Sequence, residues 1–96
     1  MVDRQQIKWI ATQTIRARIR QPHLQTIVDE ILRPDRFNRF IEGLWVRCNQ
    51  LEVAGYLNNK YALQQFVQTA VVYYAHRLVL KMEKQLDVPN GTEPTA

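Results

Sequence analysis

Apolar residues recur at three- and four-residue steps along most of the chain, which predicts an all-α fold. The first helix is predicted to run from an N-cap at Asp3 to about Arg20. Its apolar stripe consists of Ile7, Ile10, Ala11, Thr14, Ile15 and Ile19. Pro22 suits the first turn of a second helix, because its fixed φ angle is already helical. The stripe of that helix consists of Leu24, Ile27, Val28, Ile31 and Leu32.

Two further helices are predicted in the second half of the chain. The third begins at Pro34 and stops near Gly55, because an apolar stripe continues between them. That stripe consists of Phe37, Phe40, Ile41, Leu44, Trp45, Cys48 and Leu51. The fourth helix is predicted from about Lys60 to Leu86, with one of the two asparagines of the preceding LNNK turn as its N-cap.

Together these segments predict one domain, a compact bundle of about four helices over residues 3–86. Residues 87–96, DVPNGTEPTA, contain two prolines, a glycine and no apolar periodicity, so they are predicted to form a disordered tail. The centre of the fourth helix, AVVYYA, is apolar on nearly every side. We therefore expect that helix to pack against further copies of the chain or against a larger partner.

The charge balance favours an anionic partner. Thirteen Lys and Arg against nine Asp and Glu give a net charge of +4, and residues 4–28 contain no acidic residue. A single cysteine, Cys48, cannot form an internal disulfide, which fits a reducing compartment. The sequence shows neither the apolar core of a signal peptide nor an apolar run long enough for a bilayer. We expect a cytoplasmic protein that does not contact membranes.

Three arginines alternate near the end of the first predicted helix. At about 100° per residue, Arg16 and Arg20 share a strip with Trp9, opposite the isoleucines. Arg18 falls among the apolar positions instead. Its side chain must snorkel, pair with a carboxylate, or mark an early end of the helix.

The third predicted helix carries a second strip of cations opposite its phenylalanines. This strip consists of Arg36, Arg39, Gly43, Arg47 and Gln50. A phosphate backbone could approach closely at the glycine, and each arginine could neutralise one phosphate and release a counterion. Pairing with neighbouring acids, or simple solvation of a polar face, is the competing interpretation. If nucleic acid is the ligand, we expect the two strips to converge into one electropositive track.

A protein-interaction module, such as an adaptor or a dimeric regulator without nucleic-acid binding, is the alternative function. An outward Trp9 could fill a pocket on another protein as readily as it could stack on an unpaired base. Val72, at the apolar centre of the fourth helix, is the second candidate for a partner contact. The other aromatic residues lie on apolar stripes and are expected in the core.

The sequence gives little support for a catalytic activity. His23 and His76 are isolated, and neither belongs to a spacing of His, Cys, Asp and Glu that would hold a metal. The carboxylates are scattered, and the three glycines form no phosphate-binding loop. Cys48 lies on an apolar stripe and is expected to be a small buried residue. We expect no enzyme activity, no metal site and no cofactor.

The segments WIATQTIRARIR, RFNRFIEGLWVRCNQLE and VVYYAHRLVLKMEKQL make the chain resemble the small subunits of multisubunit CRISPR effector complexes. The resemblance is greatest to those produced from an internal start in the large-subunit gene. It covers residues 3–86 and concerns size, helix arrangement and basic faces.

This resemblance implies a non-catalytic subunit that packs as several copies and contacts the large and backbone subunits. It also implies a sequence-independent path for target DNA or RNA, or for the displaced strand. The positions that match such a path are Arg16, Arg20, Arg36, Arg39 and Arg47.

Overall fold

The structure, a computed structural model, describes the backbone of residues 2–92 and the side chains of residues 2–84. Its elements are α1 (Arg4–Arg18), a 3-10 turn (Pro22–Leu24), α2 (Gln25–Ile31), α3 (Pro34–Val53) and α4 (Lys60–Thr92). The predicted all-α bundle of four helices is confirmed. Helix α4 is described as far as Thr92, and residues 93–96, the end of the predicted disordered tail, lie outside the described residues.

Helix α1 begins as predicted, because the Asp3 side chain accepts a hydrogen bond from the Gln5 amide at 3.0 Å. Val2, the residue before Asp3, joins the N-terminal end of α1 to α3 through two hydrogen bonds. The Val2 amide donates to the Asn49 side-chain oxygen at 3.1 Å, and the Val2 carbonyl accepts from the indole N–H of Trp45 at 2.8 Å. The buried Val2 therefore fixes the position of α1 along α3.

The connection between α1 and α2 differs from the prediction. Helix α1 ends at Arg18, since Ile19 leaves helical geometry with φ −121° and ψ 89°. Gln21 is extended, as expected of the residue before Pro22. The Gln25 side chain donates to the carbonyls of Ile19 and Gln21 at 3.3 and 3.2 Å. The predicted second helix therefore divides into a 3-10 turn and a short α2.

Helix α3 ends in a Schellman motif at the predicted glycine. Gly55 has a φ of +89°, its amide donates to the Glu52 carbonyl at 3.0 Å, and the Tyr56 amide donates to the Leu51 carbonyl at 2.9 Å. Glycine adopts this left-handed conformation without steric cost. The motif closes α3 and turns the chain towards α4.

Of the two asparagines in the following turn, Asn59 caps α4, because its side-chain oxygen accepts from the Ala62 amide at 2.8 Å.

The core lies where α1 packs between α3 and α4. The largest fully buried side chains are Ile7, Ile15, Val28, Ile31, Cys48, Val67 and Val71. Burial raises the pKa of the Cys48 thiol to about 11, so the predicted small buried residue is confirmed. Over residues 60–84, helix α4 buries one face, and Tyr73 and Leu80 lie outside it and are exposed.

Candidate binding surfaces

The structure divides the arginines by their partners. Arg4 pairs with Glu42 at 3.3 Å, and its guanidinium lies 4.5 Å from the centre of the Trp45 ring. Arg33 is 3.4 Å from Glu30 and from Asp35. These arginines hold neighbouring segments of the chain together.

Arg36 belongs to this structural group, contrary to its predicted place in a nucleic-acid path. Its guanidinium donates to the Glu30 carboxylate at 2.8 Å and to the Glu30 carbonyl at 2.7 Å. Its side chain is half-buried, and Glu30 already neutralises its charge, so a phosphate would compete with a charge-assisted pair. The neighbouring acids that the sequence offers as partners, such as Asp35, lie on α3, but the acid that pairs with Arg36 is Glu30 of α2.

Arg36 also lies beside the hydroxyl of Tyr74. Burial raises the pKa of Tyr74, and the nearby charge of Arg36 opposes that rise. Neither the Tyr74 hydroxyl nor the buried Nε of Arg36 has a partner with acceptable hydrogen-bond geometry among the described atoms. We therefore treat their contact as electrostatic. The ring of Tyr74 stacks on Phe40, with the ring centres 4.1 Å apart.

Arg39 and Arg47 differ from Arg36 in being exposed and making no ion pair with a described side chain. They lie one turn on either side of Gly43, about 12 Å apart along α3 at 1.5 Å per residue. A Cβ atom built on Gly43 would meet no atom within 4 Å. We call Arg39, Gly43 and Arg47 the α3 strip.

Arg16, Arg18 and Arg20 form a second basic surface, which we call the α1 end. All three are exposed and make no ion pair within the described side chains. Arg18 is the last residue of α1, so the early end of the helix explains its exposure. Arg20 lies beyond the helix, where its Nε donates to the Ala17 carbonyl at 3.0 Å.

The two basic surfaces lie on different helices. Helix α1 packs on α3 and α4 through its isoleucine face, so the face with Trp9 and Arg16 points away from both. On α3, the Phe40–Tyr74 stack marks the seam with α4. The α3 strip lies on the outer side of that seam, about 130° around the helix from its buried stripe. No described contact joins the two surfaces, so their convergence into a single track stays a prediction.

Sequence reasoning missed a mixed surface on α4. Tyr73, Arg77, Leu80 and Lys84 are exposed at spacings of four, three and four residues, and so share one side of the helix. The Arg77 guanidinium lies 5.8 Å from the centre of the Tyr73 ring. These residues line a groove of about 700 Å³ beside Phe40. The spacing of these four residues is visible in the sequence. It was overlooked because the residues around them make the centre of the helix apolar on nearly every side.

The two predicted partner contacts differ in accessibility. Trp9 is 64% exposed, whereas Val72 is half-buried. Trp9 therefore offers a large apolar surface to solvent, and Val72 offers little.

Two other kinds of site are absent from the described part of the chain. No group of three or more His, Cys, Asp or Glu side chains is placed to hold a metal ion. Among residues 2–92, no helix combines the length and hydropathy needed to traverse a bilayer.

Comparison with known proteins identifies no relative. No family model matches the chain, and neither a curated protein nor a solved structure is recognisably similar to it.

Proposed function

We propose that this protein is a non-catalytic subunit of a nucleic-acid-targeting complex and that the α3 strip contacts the phosphate backbone. The observation that carries the proposal is a pair of exposed arginines, on either side of an open glycine, that make no ion pair with a described side chain. Guanidinium groups bind phosphate oxygens in a bidentate manner and keep their charge at any physiological pH.

Gly43 supports this assignment because no contact within the described residues requires a glycine there. Glycine within a helix costs about 1 kcal/mol relative to alanine. The helix is regular at this point, and the space above the residue is open. A smooth position between two cations would let a nucleic-acid backbone lie close to the helix.

The form of the surface favours backbone contact over base reading. The α3 strip provides two charges and no amide side chain placed between them. Phosphate contacts of this kind position a protein on nucleic acid without selecting a sequence. In the proposed complex, a guide strand or another subunit supplies the specificity.

The wider assembly is proposed from the resemblance to CRISPR small subunits. In such a complex, several copies would contact the large and backbone subunits, and the α3 strip would face the target or the displaced strand. The α1 end lies on a different helix and would be free to contact a second anionic surface.

The test compares two double variants with the same change in net charge. Arg39→Glu/Arg47→Glu alters the α3 strip, whereas Lys8→Glu/Lys60→Glu alters exposed lysines outside it. Binding of labelled DNA and RNA oligonucleotides is measured by fluorescence anisotropy over a series of salt concentrations. We expect the arginine variant to weaken binding and to reduce the log–log salt slope by about 1.4 to 1.8, from 0.7 to 0.9 per phosphate.

Circular dichroism should show that both variants keep the helical content of the native chain. Equal binding by the two double variants would exclude the α3 strip, and a native chain that binds neither DNA nor RNA would exclude the function.

Gly43→Gln provides an independent test, because it should act in opposite directions on stability and binding. The substitution should raise the free energy of unfolding by up to about 1 kcal/mol through helix propensity. The longer side chain should nevertheless weaken oligonucleotide binding. Unchanged binding would mean that no ligand approaches this position.

A protein-interaction module is the second candidate, favoured by the exposure of Trp9. On this proposal, Trp9 is an anchor for a neighbouring copy or for another protein. Sedimentation of the native chain and of Trp9→Glu would test it. Self-association that is insensitive to salt and lost in the variant is expected. A chain that stays monomeric at high concentration would count against a contact between copies.

A further inference from the structure

The groove beside Phe40, which we call the α4 groove, lies along the outer side of the α3–α4 seam. It lies within the part of the chain that has described side chains. Phe40, Tyr74 and Leu78 belong to its lining, and each packs partly into the hydrophobic core. Tyr73 and Leu80, also in the lining, are 63% and 46% exposed. The groove therefore presents apolar and aromatic surface to solvent, supported from below by the core.

Positive side chains outnumber negative ones in the lining of the groove. Its cations are Arg77, Lys81 and Lys84, and its only carboxylate among the described residues is Glu83. Three cations against one carboxylate leave an excess of two positive charges beside an apolar surface. A ligand that fills the groove must therefore combine apolar contacts with negative charge.

We propose that the α4 groove binds an acidic amphipathic helix of a partner protein. The groove follows α4 from Ala70 to Lys84, about 21 Å at 1.5 Å per residue, which matches about four turns of a second helix. Apolar side chains of the partner would pack against Tyr73 and Leu80. Its acidic side chains would then face the cations at the edges.

Charge also argues against a second copy of this chain as the occupant. The chain carries a net charge of +4, and its α1 end and α3 strip are basic and make no ion pair with the side chains that the structure describes. Docking one copy into the groove of another would bring like charges together, at an electrostatic cost. An acidic helix gains the same apolar contacts and neutralises the excess.

This inference does not rest on the proposed nucleic-acid function, because it uses different residues. The α3 strip acts through charge alone, whereas the groove requires apolar contact as well. Loss of one activity can therefore be measured without loss of the other.

The experiment uses the full chain and two labelled helical peptides of about 14 residues. One peptide carries leucines at i, i+3, i+4, i+7 and i+11 with glutamates at the flanking positions, and its twin carries lysines in place of the glutamates. Fluorescence anisotropy should show binding of the glutamate peptide at least tenfold tighter than that of the lysine peptide. Arg77→Gln/Lys81→Gln/Lys84→Gln should remove this preference.

Truncation of exposed apolar residues then locates the contact. Tyr73→Ala/Leu80→Ala should weaken binding of the glutamate peptide at least tenfold. The matched control is Tyr61→Ala/Val46→Ala, whose residues are 72% and 45% exposed and lie outside the groove. This control should bind like the native chain. None of these four substitutions changes the net charge or removes a fully buried side chain.

Three results would overturn the proposal. The first is equal binding of the two peptides or no binding of either, and the second is equal binding by the groove variant and its control. The third is that the native chain binds a single-stranded oligonucleotide but not the glutamate peptide, and that the groove variant no longer binds the oligonucleotide. In that case the groove takes nucleic acid and not a protein helix.

Discussion

The buried hydroxyl of Tyr74 gives a prediction in which removing a polar group stabilises the protein. Its oxygen is shielded from solvent and lacks a hydrogen-bond partner among the described atoms. A buried polar group left unsatisfied costs about 1 to 3 kcal/mol. Tyr74→Phe removes this cost and keeps the ring that stacks on Phe40.

The magnitude lies at the low end of that range. The Arg36 guanidinium lies close enough to the Tyr74 hydroxyl to oppose the rise of its pKa. The attraction of this cation to the partial negative charge of the neutral oxygen offsets part of the cost of burying the hydroxyl. We expect Tyr74→Phe to raise the free energy of unfolding by about 1 kcal/mol. In a domain of this size, that change corresponds to a rise in Tm of about 4 to 8 °C.

Urea unfolding followed by circular dichroism measures the change, with Tyr73→Phe as the matched control. Tyr73 is the preceding residue and is exposed, so removal of its hydroxyl should change stability by less than about 0.5 kcal/mol. If Tyr74→Phe lowers the free energy of unfolding by 1 kcal/mol or more, the hydroxyl has a good partner, and the reasoning is refuted.

The same residue makes the difference depend on pH. Burial raises the pKa of Tyr74 above its ordinary value of 10.0, so the folded state binds its proton more tightly than the unfolded state does. This contribution is fully present below pH 10.0 and is lost as the pH rises through the folded pKa. The stability advantage of Tyr74→Phe should therefore grow above pH 10.0.

Three further predictions concern other parts of the fold. Gly55→Ala should lower the free energy of unfolding by about 1 to 2 kcal/mol in urea titrations, because Gly55 has a φ of +89°; an unchanged midpoint would contradict the Schellman motif. Cys48 should react with iodoacetamide only when the chain unfolds, since burial raises its pKa to about 11; rapid labelling of the folded chain would show that the thiol is accessible. Glu30→Gln should lower the free energy of unfolding, measured by thermal unfolding, by about 1 kcal/mol, because Arg36 loses its charge-assisted partner. The effect is small because solvent partly screens the pair. An unchanged free energy of unfolding would mean that the pair does not stabilise the fold.

Much of the helical framework could be predicted from sequence because its signals are local. The Asp3 cap, the Pro34 start and the Gly55 stop each depend on a few adjacent residues. The end of α1 was misjudged by two residues, since the predicted end was Arg20 and the observed end is Arg18. There the apolar period continues to Ile19, but the turn before Pro22 requires an extended backbone.

The candidate site was less predictable, because side-chain pairing depends on tertiary contacts. Arg36 and Arg47 occupy the same side of α3. Only Arg36 lies near the end of α2, where Glu30 can accept its hydrogen bonds. No helical wheel of α3 alone contains that information.

The arrangement of the helices also determines how many of the arginines can bind one nucleic acid at the same time. Sequence alone treats every arginine as available, which favours a single extended polyanion site. In the structure, the face of α1 that carries Arg16 points away from α3. We therefore expect one short straight nucleic acid to contact only one of the two surfaces. The salt dependence of binding should therefore report the phosphates neutralised on one side only. Removing the charge of the α3 strip should accordingly abolish most of that dependence, even though the α1 end keeps three exposed arginines.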